Sequence, residues 1–305
     1  MKRKYFLVCN PSSNNFQSKK KIADYMKLLN KKKIDFDHAF TLKRYDGTHI
    51  TKKALASGYN TIVAVGGDGT INEVINGFFD NFGNAHNALL GILYSGTSPD
   101  FCKYHQLPLI PEKAIDHLLR SNVKKIDVGF MKDHNNNLRY FSCSTNLGLG
   151  VNVASRANIY RKYLGDFAGT LLASVISILT YKPFSCTLSH NGKICDLKDV
   201  FNITIAKNPY LASGLKLNSS ISSSDGKLLL FSFSGINRFK LLFMLPKIYS
   251  GKIINEKCFT GEMISQLNFN SSDLVEAECD GDPTGLFPVE INIKERAVNL
   301  IGAVS

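Results

Sequence analysis

The sequence predicts two parts: an N-terminal α/β domain with a parallel sheet, and a β-rich C-terminal domain expected to be an antiparallel sandwich. Two observations support this prediction. Up to about residue 125, short apolar runs alternate with segments of helical periodicity, which is typical of a parallel sheet covered by helices. After Asp127, short β-type segments follow one another between turn residues. The length of 305 residues suits two domains of ordinary size.

The N-terminal part begins with the apolar run 5–9, which ends in a polar, turn-rich loop. Ile22, Tyr25 and Leu29 then recur at helical spacing. The run 61–65 is apolar almost throughout, as expected of a parallel strand that is buried on both faces. The predicted strands are 5–9, 35–41, 61–65 and 89–94, and the predicted helices lie near 22–29 and at 47–57, 71–79 and 111–120.

The C-terminal part reads as strands separated by turn signals, with one long helix. The predicted strands are 139–145, 185–189, 200–206, 227–233 and 289–293, and the helix is predicted over 159–180. We place the two domains at 1–127 and 128–294. Whether 295–305 rejoins the first domain is left open.

The charge balance narrows the classes of partner. A formal net charge of +12 favours phosphorylated substrates, an anionic membrane surface or nucleic acid. A merely basic, soluble surface would give the same charge. The sequence shows no nucleic-acid-binding module, and the lysine runs 19–21 and 31–33 fall on helix faces expected to be solvated. We therefore expect no nucleic-acid partner.

The seven cysteines are scattered and form no CxxC pair, which argues against a disulfide framework or a zinc site and indicates reduced thiols. The longest apolar segment, 167–181, is shorter than the roughly 20 residues that a membrane-spanning helix needs. We expect a cytoplasmic protein without a membrane span.

The segment VAVGGDGTINEVING, 63–77, joins a predicted strand to a predicted helix through three glycines and Asp68. Glycines let the backbone approach a bulky ligand, and the first amides of a helix favour phosphate. A carboxylate there would repel phosphate unless a cation lies between them, so Asp68 indicates a magnesium-bound nucleotide. The alternative is a tight turn in which Asp68 only caps the helix.

Seven segments, in order along the chain, resemble the diacylglycerol kinase catalytic-domain family, which includes bacterial lipid kinases and sphingosine kinases. The glycine loop carries the most specific resemblance. The other segments are NPSSNN (10–15), the stretch 41–70 that leads into the glycine loop, GILYSGTSPDFCKYHQLP (91–108), KKIDVGF (124–130), SSSDGKLLLF (222–231) and AECDGDP (277–283).

The resemblance implies that ATP and Mg²⁺ bind in a cleft between the two domains. Asp68, Asp100 and Asp127 would form an acidic, water-bridged magnesium network. A second, structural magnesium would be held by Asp225 with the backbone carbonyls of Ser222 and Lys227. The implied nucleotide-binding residues are Asn10, Pro11, Ser12, Ser13, Asn14, Thr41, Gly66, Gly67, Asp68, Gly69, Thr70, Asn72, Glu73 and Thr97.

The AECDGDP segment supplies the expected proton acceptor for the substrate hydroxyl, because phosphorylation of an alcohol needs a group that takes its proton. Asp282 occupies the position of the family's glutamate and is our first choice, with Asp280 as its neighbour or substitute. Asp68 completes the predicted catalytic set. The alternative is a solvated acidic strand face that ends in a turn.

The most favoured reaction is transfer of the γ-phosphate to a lipid hydroxyl, with diacylglycerol as the acceptor. NAD kinases carry a related glycine loop, so a soluble acceptor is one alternative. Three departures from the family pattern, Asn14, Pro99 and Asp282, motivate a second alternative, a catalytically impaired nucleotide- or lipid-binding protein.

Two segments, 160–184 and 237–252, mix basic and apolar residues. They could be core helices with charged ends, or surfaces that hold a lipid chain or rest on an anionic bilayer. A lipid substrate favours the second interpretation and predicts peripheral membrane association. A homodimer is left open.

Overall fold

The computed structural model describes residues 3–13, 18–120, 122–211, 215–216, 221–250 and 259–302. The chain divides into two compact units, Met1–Ile126 with Arg296–Ser305, and Asp127–Glu295. The boundary after Ile126 lies one residue before the one predicted from the sequence, and Glu295 belongs to the second unit.

The first unit alternates strands and helices along the chain. Its elements are β1 (Tyr5–Cys9), α1 (Ser18–Lys31), β2 (Phe36–Phe40), α2 (Asp46–Ala56), β3 (Thr61–Gly66), α3 (Asp68–Gly77), β4 (Leu89–Tyr94), α4 (Asp100–Tyr104) and α5 (Pro111–Leu118). β1 pairs in parallel with β2 and β3, and β3 pairs in parallel with β4. The predicted parallel α/β domain is confirmed.

The second unit consists mainly of strands. β5 (Val123–Asp133) leads into it, and its remaining elements are β6 (Leu138–Phe141), β7 (Ser144–Gly148), α6 (Leu149–Leu164), α7 (Asp166–Thr180), β8 (Phe184–His190), β9 (Lys193–Val200), β10 (Asn202–Ala206), β11 (Tyr210–Leu211), β12 (Leu215–Lys216), β13 (Leu228–Phe233), α8 (Arg238–Tyr249), β14 (Phe259–Ile264), β15 (Gln266–Asn270), β16 (Ala277–Cys279), β17 (Asp282–Pro283) and β18 (Pro288–Ile301). The last residues of β18 return to the first unit, where Asn299 and Leu300 pair in parallel with β4.

Two sets of antiparallel strands pack on each other in the second unit. One has the order β14-β13-β10-β7-β16-β17, and the other joins β18, β15, β8 and β9. A single buried apolar cluster contains Leu147 and Ile203 from the first set and Leu188 and Leu267 from the second. Two sheets that share one core form a sandwich, so the predicted antiparallel β domain is confirmed.

The apolar runs and the helical spacing that predict the elements of the first unit also supply its core. Leu7 and Val63 on neighbouring strands are fully buried, and Tyr25 and Leu29 of α1 pack in the same cluster as Ile115 of α5. Full burial of such a side chain stabilises the fold by roughly 1.5–3 kcal/mol. This core fixes the strand ends that carry the glycine loop.

The helix predicted over 159–180 is two helices, because Gly165 between α6 and α7 has φ 78°. A left-handed residue ends an α-helix, and glycine adopts this conformation without steric cost. Asp166 then stands in the first turn of α7. Within the residues that the structure describes, none of the helices is long and apolar enough to cross a membrane.

Candidate functional site

Three loops meet at the carboxyl ends of β1, β3 and β4. The amide of Asn10 donates to the carbonyl of Val65 (2.9 Å), and the amide of Ser95 donates to the carbonyl of Gly66 (2.9 Å). The side chain of Asn10 also donates to Thr70 Oγ1 (3.0 Å). In open parallel sheets, ligands bind at this edge. The loop that follows β1 is therefore held against the glycine loop.

Glycines allow the backbones of two of these loops to touch. A Cβ atom on Gly96 would lie 2.5 Å from the Cα of Gly67, and a Cβ atom on Gly67 would lie 3.2 Å from Ser13 Oγ. Gly67 is also the N-cap of α3, and it has no side chain that could bond to the first amides of the helix. Gly67 therefore leaves room beside these amides, and a helix N-terminus favours an anion. The predicted loop residues Pro11 and Gly69 belong to the same two loops.

Asp68 and Asp100 are brought together as the resemblance implies. Asp68 Oδ2 accepts a hydrogen bond from the amide of Asp100 (3.0 Å), and Ser98 Oγ donates to Asp100 Oδ2 (3.4 Å). Lys103 Nζ lies 3.6 Å from Asp100 Oδ1. Over the described parts of the chain, no cluster of three or more His, Cys, Asp or Glu side chains has the arrangement of a metal site. Mg²⁺ on a nucleotide commonly has only one or two carboxylate ligands besides phosphates and water, so this pair fits it.

Two predicted nucleotide residues of α3 make contacts within the first unit. Glu73 accepts hydrogen bonds from the amides of Tyr45 and Gly47, both at 2.8 Å, and so satisfies the N-terminal amides of α2. Asn72 is 2 % exposed, and the side chain of Asn76 donates to its carbonyl (2.9 Å). The structure therefore gives both residues a role in positioning the helix. Their contact with nucleotide stays a prediction.

The other predicted residues lie at the rim of the loops. The amide of Ser12 donates to Asn10 Oδ1 (3.0 Å), and the amide of Thr41 donates to the carbonyl of Cys9 (2.9 Å). The side chain of Thr97 is exposed in the loop after β4. Asn14 lies outside the described residues.

Asp127 belongs to the second unit, and its predicted place in a magnesium network with Asp68 and Asp100 stays a prediction. Its carboxylate is completely buried in the second unit, where it accepts hydrogen bonds from the amide of Gly226 (2.9 Å) and forms an ion pair with Lys207 Nζ (2.9 Å). Lys207 also contacts Asp225, the residue expected to hold a structural magnesium (2.6 Å). Sequence reasoning missed Lys207, because an isolated lysine beyond a strand gives no signal of its own.

Asp280 is saturated with hydrogen bonds. Its Oδ1 accepts from the amides of Cys143 (2.8 Å) and Ser144 (2.9 Å), and its Oδ2 accepts from the amide and the hydroxyl of Ser142 (2.9 and 3.0 Å). Four hydrogen bonds to both oxygens fix the position of this carboxylate. Asp280 thus ties the 280–282 turn to the loop before β7.

Glu278 and Asp282 flank that turn. Glu278 is 3 % exposed and accepts hydrogen bonds from Asn146 and from the amide of Gly281 (2.7 Å). Burial raises the pKa of Glu278 to about 8. Asp282 is half-buried at the start of β17. The interpretation of this segment as a solvated strand face is wrong, because β16 is buried along its whole length.

Helices α6, α7 and α8 of the second unit expose large aromatic side chains. The exposed fractions are 82 % for Tyr163, 63 % for Phe167, 60 % for Phe239 and 83 % for Phe243. Exposed lysines accompany them on the same helices and at the end of α7, namely Lys162, Lys182, Lys240 and Lys247. A combination of exposed aromatic and basic residues is typical of a surface that lies on an anionic bilayer.

Comparison with known proteins covers nearly the whole chain. Residues 4–131 match the diacylglycerol kinase catalytic domain, and residues 143–302 match the YegS C-terminal NAD kinase beta sandwich-like domain. A diacylglycerol kinase of Staphylococcus carnosus is 24% identical over 300 residues, which cover 97% of this chain and 94% of that protein. A diacylglycerol kinase of Bacillus subtilis is 24% identical over 301 residues, with coverage of 97% and 95%. The crystal structure of a diacylglycerol kinase from Bacillus anthracis str. Sterne has the same fold, with a TM-score of 0.67 at 17% identity over 98% of this chain and 96% of that chain.

Proposed function

Because the chain belongs to the diacylglycerol kinase catalytic-domain family, we propose that it is an ATP-dependent lipid kinase. It transfers the γ-phosphate of ATP to a lipid hydroxyl, with diacylglycerol as the acceptor and phosphatidic acid as the product. The observation that carries this proposal is the phosphate cradle of the first unit, where the glycine-capped N-terminus of α3 meets the Gly67–Gly96 contact and the Asp68–Asp100 pair. The names of the two bacterial relatives support diacylglycerol as the acceptor.

The residues of the cradle have different roles in nucleotide binding. The amides at the start of α3 receive the phosphates, and the loop residues around Asn10 and Ser13 border them. Asp68 and Asp100 would hold Mg²⁺, which neutralises phosphate charge when bound. Substitution of Gly96 by any larger residue would push the two loops apart, because its Cβ would lie 2.5 Å from Gly67. The contact between the two loops thus requires glycine at position 96.

Asp282 is the proton acceptor for the substrate hydroxyl in this proposal. Asp280 already accepts four hydrogen bonds, and Glu278 is buried with a pKa of about 8. Asp282 stands at the family's glutamate position and is half-buried instead of enclosed. A carboxylate that receives a proton must be able to reach the substrate, and accessibility favours Asp282.

The acceptor lipid reaches the enzyme at a membrane surface. We assign this contact to the exposed aromatic residues of α6–α8, because Tyr163, Phe167 and Phe243 are the side chains that insertion into a lipid interface would bury. The neighbouring lysines, within a chain of net charge +12, complement anionic headgroups. The partner is therefore an anionic bilayer, contacted peripherally, and not nucleic acid.

A second candidate function is an NAD kinase-like reaction with a soluble acceptor, favoured by the description of the domain that residues 143–302 match. Labelled ATP, supplied with Mg²⁺ to diacylglycerol, sphingosine and NAD in separate reactions, distinguishes the two. We expect labelled phosphatidic acid from diacylglycerol and no product from NAD. Label in NAD alone would overturn the lipid kinase proposal, and label in none of the three acceptors would favour a catalytically impaired protein.

A further inference from the structure

The Asp-Gly turn at 225–226 contains a cation that belongs to the chain itself. Lys207 Nζ donates to Asp225 Oδ1 (2.6 Å) and to the carbonyl of Lys227 (2.9 Å), and it forms an ion pair with Asp127 Oδ2 (2.9 Å). The side chain of Lys207 is 2 % exposed. An ammonium group has three donors, and three oxygens receive them here.

The residues of this turn do not fit a divalent ion. Two of the three predicted ligands, Asp225 and the carbonyl of Lys227, already bond to the ammonium, and the amide of Ser222 donates to Asp225 Oδ2 (3.1 Å). Distances of 2.6–2.9 Å are those of charge-assisted hydrogen bonds, whereas Mg²⁺ requires oxygens at about 2.0–2.1 Å in an octahedron. A magnesium ion among the same oxygens would also meet the repulsion of a buried ammonium.

Strand register explains why this lysine reaches this turn. Lys207 directly follows β10, and β13 begins directly after Lys227. The two strands pair antiparallel, with Ala206 opposite Leu229. The residue that leaves β10 therefore lies beside the turn that enters β13. Its amide is held by the carbonyl of Cys143 (2.8 Å), which fixes the backbone of Lys207 as well.

The surrounding charges agree with a permanent internal cation. Asp225 accepts hydrogen bonds from the ammonium of Lys207 (2.6 Å) and from the amides of Ser222 and Lys227 (both 3.1 Å). The buried Asp127 receives the amide of Gly226 in addition to the ammonium. One ammonium and three amides together compensate two carboxylates.

We infer that the ammonium of Lys207 replaces the structural divalent cation at this turn, so that the fold of the second unit is independent of Mg²⁺. The inference does not depend on the kinase reaction. Any magnesium requirement of the enzyme then comes from the nucleotide in the first unit.

Thermal unfolding of the nucleotide-free full-length protein tests this. After dialysis against EDTA, or with added Mg²⁺, the unfolding temperature of the wild type should stay the same. Lys207→Ala removes the cation and leaves two buried carboxylates, so its unfolding temperature should fall by about 10 °C, as expected when one partner of a buried ion pair is lost. Mg²⁺ should restore part of that loss in the variant alone. The matched control is Lys198→Ala, an exposed lysine of the same unit, which should change neither the unfolding temperature nor its response to Mg²⁺.

The wild type keeps the inference testable even if Lys207→Ala does not fold. A fall in unfolding temperature on chelation in both the wild type and Asp68→Ala would overturn it, because Asp68→Ala lacks the nucleotide-loop carboxylate. A fall in the wild type alone would assign the ion to that loop and leave the inference standing.

Discussion

Asp280 and Asp282 are two residues apart, yet the structure predicts opposite consequences for their substitution by asparagine. Asp280 lies at φ 50°, a left-handed conformation that asparagine adopts as readily as aspartate. Asp280→Asn therefore changes the hydrogen bonds of the side chain and leaves the backbone preference intact. Asp282→Asn removes the proposed proton acceptor from a half-buried position.

The loss expected for Asp280→Asn follows from its four donors. Asparagine has one acceptor oxygen, so whichever way the amide is turned, its NH₂ group faces two of the donors from Ser142, Cys143 and Ser144. At least one of these donors is a backbone amide that cannot accept, whereas the hydroxyl of Ser142 can turn and accept from the NH₂ group. Loss of one charge-assisted hydrogen bond costs about 1.5–3 kcal/mol. The unfolding temperature should therefore fall by at least about 3 °C for a domain of this size.

Asp282→Asn should keep the stability of the wild type and lose activity. We expect its unfolding temperature to stay within about 2 °C of the wild type, since substitutions away from the core usually change stability by about 0.5 kcal/mol or less. Its kcat should fall by about 10²- to 10⁴-fold, the usual contribution of a general base. Asp282→Glu restores the side-chain length of the family motif and should keep or raise kcat.

Calorimetry measures the unfolding temperature of both variants. The labelled-ATP assay with diacylglycerol measures their kcat, at a temperature where each variant is folded. The reasoning is refuted if Asp280→Asn unfolds at the wild-type temperature but is inactive, while Asp282→Asn remains active. Asp280 would then be the proton acceptor, and the four hydrogen bonds would not fix its role.

Three further predictions concern other parts of the molecule. Asp68→Ala should abolish turnover and keep the unfolding temperature, and wild-type activity in this variant would contradict the phosphate cradle. For Glu278, the folded-state pKa of about 8 exceeds the usual 4.5, so its contribution to stability is complete at low pH and is lost as the pH rises toward 8. The unfolding free energy of Glu278→Gln, measured by denaturant titration, should lack that decrease, and an equal decrease in both proteins would show that Glu278 ionises normally. Vesicle sedimentation should show binding to anionic and not to neutral vesicles, and salt should weaken this binding. Phe243→Ser should reduce it about tenfold, whereas Phe82→Ser, at an aromatic residue of the first unit that is 88 % exposed, should not. Equal losses for both variants would contradict the assigned surface.

The sequence predicts the fold class correctly because strand burial and helix periodicity are local signals. Thr61–Gly66 is buried at every position, and the apolar run 61–65 predicts that directly. The break at Gly165 was not predicted, since the apolar periodicity continues through it and only the backbone conformation shows the turn. Periodicity reports which face is buried, and it does not report where a helix ends.

The candidate site is predictable where one motif contains both partners, and it is not where the partners are distant in sequence. The glycine loop and its carboxylate are adjacent in the chain, so Asp68 is recognisable from the sequence. The partners of Asp280 are Ser142, Cys143 and Ser144, which are more than a hundred residues earlier in the chain. A pattern of acidic residues therefore indicates the right segment without showing which carboxylate is already saturated.

The same limit explains the turn at Asp225. A motif specifies the oxygens that surround a cation, because those oxygens belong to the motif itself. It does not specify the cation, which strand register can supply from elsewhere in the chain. Here Lys207 is 18 residues before Asp225, and the pairing of β10 with β13 places its ammonium among those oxygens. On this inference, a related chain with a lysine directly after β10 should also fold without the metal, so that residue, and not the Asp-Gly turn, determines whether the second unit requires a divalent ion.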